Sequence, residues 1–168
     1  KRGLLNLKST VDALPLLKNE ENIKMFEKHG VFSRNEINSR VDIILENYTK
    51  IIHIEALTLI DMMNKEIVPV ISSYTDKLCT TLLNKNKIGG INSDVERELI
   101  YRLSAAEKEI FALTNELKMA IESSEKIDDV HKKAIFYHDK VLKLMEDIRK
   151  YADSAECVVP ASIWPYPS

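Results

Sequence analysis

Residues 33 to 69 read SRNEINSRVDIILENYTKIIHIEALTLIDMMNKEIVP, and the spacing of side chains within them decides the fold. Ser33 followed three residues on by Glu36 is a capping box, which satisfies two orphan amides at a helix start reciprocally. Phe32, just before the cap, is placed to staple onto Ile37. Apolar side chains then recur at Ile37, Val41, Ile44, Tyr48, Ile52, Ala56, Leu59 and Met63. Those steps of three and four trace one stripe of a 3.6-residue helix. No glycine or proline interrupts the run before Pro69, whose ring removes a backbone bond and clashes with the preceding turn. A kink or short break is expected there. Val70, Tyr74, Leu78 and Leu82 carry the stripe onward, so helices are expected over about 34–68 and 70–86.

Upstream, residues 1–17 read as irregular or briefly helical, because Pro15 disfavours helix at Leu14. Asn19 can cap a short helix from Glu20 to His29, with Ile23 and Phe26 inward and Glu20 and Glu21 at its positive end. Gly30 closes it as a left-handed C′ residue. Downstream, Asn84 to Asn92 with Gly89-Gly90 is a loop, and Ser93 with Glu96 forms a second capping box. The next helix, about 94–123, carries Leu99, Leu103, Ala106, Ile110, Leu113, Leu117 and Ala120 near heptad spacing. A turn over 124–128, with Asp128 as the new cap, leads to a helix over 129–156. Its stripe is Val130, Ala134, Tyr137, Val141, Leu144, Ile148, Tyr151 and Ala155.

The tail 158–168 changes character. Pro160, Pro165 and Pro167 oppose helix, and Trp164 and Tyr166 are amphipathic rings suited to docking. Trp164, Pro165, Tyr166 and Pro167 are therefore the candidate interface residues, in an extended segment. The expected architecture is all-α: an antiparallel bundle of long helices, kinked at Pro69, with an extended aromatic and proline tail.

Composition bounds the function. The 168 residues are 45% hydrophobic and 30% charged with a formal net charge of -2, which suits a folded helical domain and recruits neither nucleic acid nor an anionic membrane. No apolar run is long enough to span a bilayer, and Lys1 to Leu7 lacks a signal peptide's apolar core. Cys79 and Cys157 form no CxxC pair and fit a reducing compartment. His131 and His138 lie two turns apart, roughly 10 Å along one helix, too far to share one ion. Asp128 with His131 has the spacing of half a di-iron site, but no second Asp/Glu-x-x-His exists here. His53 reads as a satisfied, partly buried histidine. Gly89-Gly90 lacks the strand and the Lys-Ser or Lys-Thr of a phosphate cradle. Cys79 sits in a helix pattern without a clear base partner. No catalytic, cofactor-binding or metal residue is expected, only an interaction or structural module.

Several stretches resemble the C-terminal region of type III glutamine synthetases. They are TVDALP at Thr10 to Pro15, NIKMFEKHGVFS at Asn22 to Ser33, LENY at Leu45 to Tyr48, IEALT at Ile54 to Thr58 and WPYP at Trp164 to Pro167. The resemblance implies a fragment of a cytoplasmic enzyme whose upstream domain ligates ammonia to glutamate, using ATP with Mg or Mn, in a dodecamer of two stacked hexameric rings. It implies that the metal- and substrate-binding residues lie before Lys1, so none is carried onto this chain. It also implies that a family chain continues a little beyond WPYP. Residues 1–32 are then the close of the catalytic domain, 33–157 a helical bundle and 158–168 its tail. The partners implied are the protein's own catalytic domain and neighbouring subunits. A free-standing helical scaffold or adaptor is the alternative, and an effector-sensing module a third reading.

Overall fold

The computed structural model describes residues 5–166, and among them every regular element is helical. Helix α1 (Thr10–Ala13) runs into a 3-10 turn (Leu14–Lys18), followed by α2 (Glu20–Lys28) and α3 (Arg34–Met62). A π turn (Met63–Ile67) joins α3 to α4 (Val68–Ile88), and α5 (Asp94–Ser124) follows a short loop. Helix α6 (Val130–Phe136), a second π turn (Tyr137–Val141) and α7 (Leu142–Glu156) complete the order. The chain divides into two compact units, residues 1–54 with 121–142 and residues 55–120 with 143–168.

In the first unit, local chemistry sets most boundaries, although Asn19, expected to cap α2, makes no side-chain bond to its first turn. The Ser33 amide and hydroxyl both donate to Glu36 Oε2 at 2.8 Å, and the Glu36 amide returns to Ser33 Oγ at 3.4 Å. These bonds hold the Glu36 carboxyl below the usual range, the Ser33 amide contributing most. Helix α2 ends in a Schellman arrangement: the Gly30 amide donates to Glu27 O and the Val31 amide to Phe26 O, both at 3.0 Å. Gly30 adopts φ 62°, a conformation that L side chains rarely take. Val11, Ile23, Ile37, Val41, Leu45 and Ala134 form the buried core, with Leu14, Phe26, Phe32, Tyr48 and Val130 packed around it. Full burial of each large aliphatic contributes roughly 1.5–3 kcal/mol. Arg34 grips Glu20 with two bonds of 2.7 Å, and Lys18 meets Asp42 at 2.7 Å. Both are surface pairs, which contribute little stability.

Three expectations for this unit shift. The seam of α3 passes through Leu45, buried, while Ile44 is exposed. The new helix after the turn is capped by Asp129, one residue later than Asp128, and Asp129 Oδ1 accepts from the Lys132 amide at 2.7 Å. That bond is the main reason the Asp129 carboxyl stays below its ordinary range. The helix then carries a π turn, in which the Leu142 amide reaches Tyr137 O, five residues back.

In the second unit, the π turn at Met63–Ile67 answers Pro69. The Val68 amide donates to Met63 O across five residues. In a regular helix the proline ring would press on the carbonyl four residues back; a widened turn makes room for it. The backbone stays helical on both sides, and the one-residue insertion rephases the seam so that Met63, Ile67, Ile71 and Leu78 are buried. Gly89 at φ 77° and Gly90 at φ 70° turn the chain into α5. Glu96, expected to box with Ser93, is engaged instead by Lys85 Nζ at 2.6 Å, and that bond is the leading cause of its depressed pKa. Asn92 Oδ1 accepts the Asp94 amide at 2.8 Å. Leu103, Ala106, Ile110 and Leu117 of α5 and Leu144, Ile148, Ala152 and Ala155 of α7 are buried. Tyr151, expected inside, is exposed, and Ala152 takes the inward position. The tail is not extended throughout, because the Ile163 and Trp164 amides both donate to Pro160 O, at 3.0 and 3.2 Å.

Candidate functional site

The proposed docking tail is half covered. Trp164, Pro165 and Tyr166 are each half-buried, and Pro167 lies outside the described residues. The Tyr166 hydroxyl oxygen is buried, close to the Glu66 carboxylate but short of a well-formed hydrogen bond. Burial first, then Glu66, then the charge of Asp61, push its pKa up to about 12. Glu66 belongs to the π turn of the long helical run, so the tail's aromatic end meets the segment that accommodates Pro69.

The most ordered polar feature is a buried relay in the first unit. Tyr137, 2% exposed, places its hydroxyl 2.9 Å from His53 Nδ1 and 3.0 Å from Ser124 Oγ. Ser124 Oγ donates to Ile121 O at 2.6 Å. Counting protons gives this relay a direction. The single Ser124 proton is on the carbonyl, so Tyr137 donates to Ser124 and His53 Nδ1–H donates to Tyr137. Every link then has one donor and one acceptor, and such chains reinforce each other. The second π turn holds Tyr137 in place at the centre of this network. Sequence periodicity placed Tyr137 inside but gave no sign of partners 84 and 13 residues away.

The second feature is a cleft of about 280 Å³ in the same unit. Leu17, Phe26, Phe32, Ile43 and Ile44 line it, with the Arg40 guanidinium at its edge, 4.4 Å from the Phe32 ring centroid. The Phe26 and Phe32 rings meet at a tilt of 53°, 5.8 Å between centroids. The cleft was missed in the sequence because the periodicity assigned Ile44 to the core, whereas it is 43% exposed on the cleft wall.

The remaining candidates are two histidines and two cysteines. His131 Nε2 lies 3.3 Å from Val11 O, and His138 Nδ1 lies 2.7 Å from Asp139 Oδ1. Cys79 and Cys157 are free thiols, Cys79 half-buried and Cys157 exposed. Among the described residues no three His, Cys, Asp or Glu side chains converge as metal ligands, and no helix is long and apolar enough to cross a membrane. What these residues can do together is hold helices in register and offer an apolar, arginine-edged surface.

Residues 1–86 match the family model described as the glutamine synthetase C-terminal domain. A glutamine synthetase of Butyrivibrio fibrisolvens is 34% identical over 169 residues, an alignment covering 100% of this chain and 24% of that protein. The type-3 glutamine synthetase of Dictyostelium discoideum is 28% identical, covering 99% of this chain and 23% of its own length. A glutamine synthetase of Bacteroides fragilis (strain YCH46) is 27% identical over 99% of this chain and 24% of its own. The chain thus spans about a quarter of the length of these relatives.

Proposed function

The chain belongs to the glutamine synthetase C-terminal domain family, and from that premise we propose that it is the helical C-terminal part of a type III glutamine synthetase. The catalytic work, ATP-dependent ligation of ammonia to glutamate with Mg or Mn, belongs in this reading to the remaining polypeptide. The described helices serve the stability and assembly of a cytoplasmic homo-oligomer, a dodecamer in the form the family resemblance implies.

The observation that carries the reading is the alignment of this chain, over its full length, with only 24% of a glutamine synthetase. Support also comes from how the polar groups are used. His53 is committed to Tyr137, Glu36 and Asp129 to helix starts, and Glu96 to Lys85. Each is a structural bond rather than a convergent set of reacting groups.

The test compares the full-length polypeptide with a version ending before residue 34, measuring glutamine formation and particle mass by analytical ultracentrifugation. Loss of the large particle on truncation is the expected result, with no glutamine formed by the 168-residue chain alone. Turnover by the isolated chain, or an upstream reading frame that encodes no ligase, overturns the reading.

A further inference from the structure

We infer that the arginine-edged apolar cleft of the first unit seats the ligase part of the same polypeptide, which inserts an apolar side chain with a carboxylate beside it. This rests on the function proposed above and names the surface through which it acts. The cleft, at about 280 Å³, has room for an apolar side chain. Its apolar surface continues along α3. Ile44 and Ile51 stand two turns apart on one face with Ile43 beside them, and these are 43%, 57% and 56% exposed. Leu17 from the 3-10 turn adds to the same rim at 37%. Scattered surface aliphatics need no explanation, but several of them gathered beside an apolar cleft mark an interaction surface.

The chemistry of the occupant follows from Arg40. Its guanidinium sits over Phe32; the Glu36 carboxylate, four residues back, feels its charge but is bonded to the Ser33 amide and hydroxyl. A guanidinium held over an aromatic ring presents a planar fork that fits a carboxylate. The identity of the occupant follows from length. The chain aligns with 24% of its relative, so in a protein of that kind the remaining three quarters of the polypeptide are tethered to this domain and are the surface at highest effective concentration beside it. The cleft residues, 17 to 44, all fall within the stretch 1–86 that matches the family model.

The test is cysteine accessibility in a Cys79→Ser/Cys157→Ser background. Ile51→Cys is labelled with a maleimide in the 168-residue chain and in the full-length protein, with Leu17→Cys as a second probe should the first perturb folding. At least a tenfold slower labelling in the full-length protein is expected, and Arg40→Glu should restore the fast rate there. Equal rates in both proteins, with glutamine formation and particle mass intact, overturn the docking surface and leave the proposed function standing. Slow labelling in the isolated chain that tracks dimer formation makes a second copy the occupant and overturns it as well. A reading frame without a ligase removes the occupant together with the function from which it was inferred.

Discussion

Replacing Tyr137 by Phe removes one oxygen from the centre of the His53–Tyr137–Ser124 relay and leaves the ring in its buried site. The ring's packing survives, so the cost is that of the polar links alone. Ser124 keeps its 2.6 Å bond to Ile121 O and loses only what it accepted. His53 loses its acceptor, but it is half-buried and water can replace part of that bond. A neutral hydrogen bond contributes about 0.5–1.5 kcal/mol net, and the partners are not left fully stranded, so Tyr137→Phe should cost about 1–2 kcal/mol. For a chain of this length each kcal/mol moves Tm by about 2–4 °C, so a fall of roughly 2–8 °C is expected. Urea unfolding followed by circular dichroism should give a lower midpoint with an unchanged m value. Adding Ser124→Ala closes a double-mutant cycle, in which the two changes should couple by about 0.5–1 kcal/mol because they share a bond. Nitrogen chemical shifts of His53 should also change from an Nδ1-protonated imidazole toward a mixture of tautomers. A neutral Tyr137→Phe, or strictly additive effects with Ser124→Ala, would refute the directed relay.

Ile148, fully buried on α7, should cost about 2–5 kcal/mol when cut to Ala, whereas Tyr101→Ala, at 70% exposure, should stay within about 0.5 kcal/mol; thermal melts of the two variants separate core from surface. Glu36 has a folded pKa lowered by the Ser33 amide and hydroxyl, so its contribution is present above the ordinary carboxylate value and is lost as pH falls through the depressed one. Glu36→Gln should therefore flatten the acid limb of a stability–pH curve, and an unchanged limb would place the dependence elsewhere. Tyr166 titrates in the opposite sense. Its folded pKa is raised to about 12, so its contribution is complete below the ordinary tyrosine value near 10 and is lost as pH climbs through about 12. Absorbance at ~295 nm should show late phenolate titration in which Tyr166→Phe removes the step near 12 and Glu66→Gln moves it toward the ordinary tyrosine value, while the phenol of Tyr48, also raised by burial, still titrates late.

The amino-acid sequence by itself determined the helical class, most helix starts and stops, and the family. Those signals are local: a capping box needs only Ser33 and Glu36, a left-handed stop only Gly30, and an amphipathic stripe only its own spacing. What it could not decide was phase. Where two apolar residues stand side by side, as Ile44 with Leu45 or Leu59 with Ile60, both satisfy a three-four step, and the neighbours packed against the helix choose between them. The first π turn compounds this, since its inserted residue brings Ile67 and Ile71 into the seam ahead of Val70 and Tyr74, whereas past the second Val141, Leu144, Ile148 and Ala155 keep the expected seam. Tertiary structure alone decided that His53, Ser124 and Tyr137 share one relay, and that Arg40 and Phe32 edge an open cleft. The physical reason is range. Helix propensity, caps and turns act within about one helical turn, whereas a hydrogen bond between residues 84 apart exists only after the chain has packed.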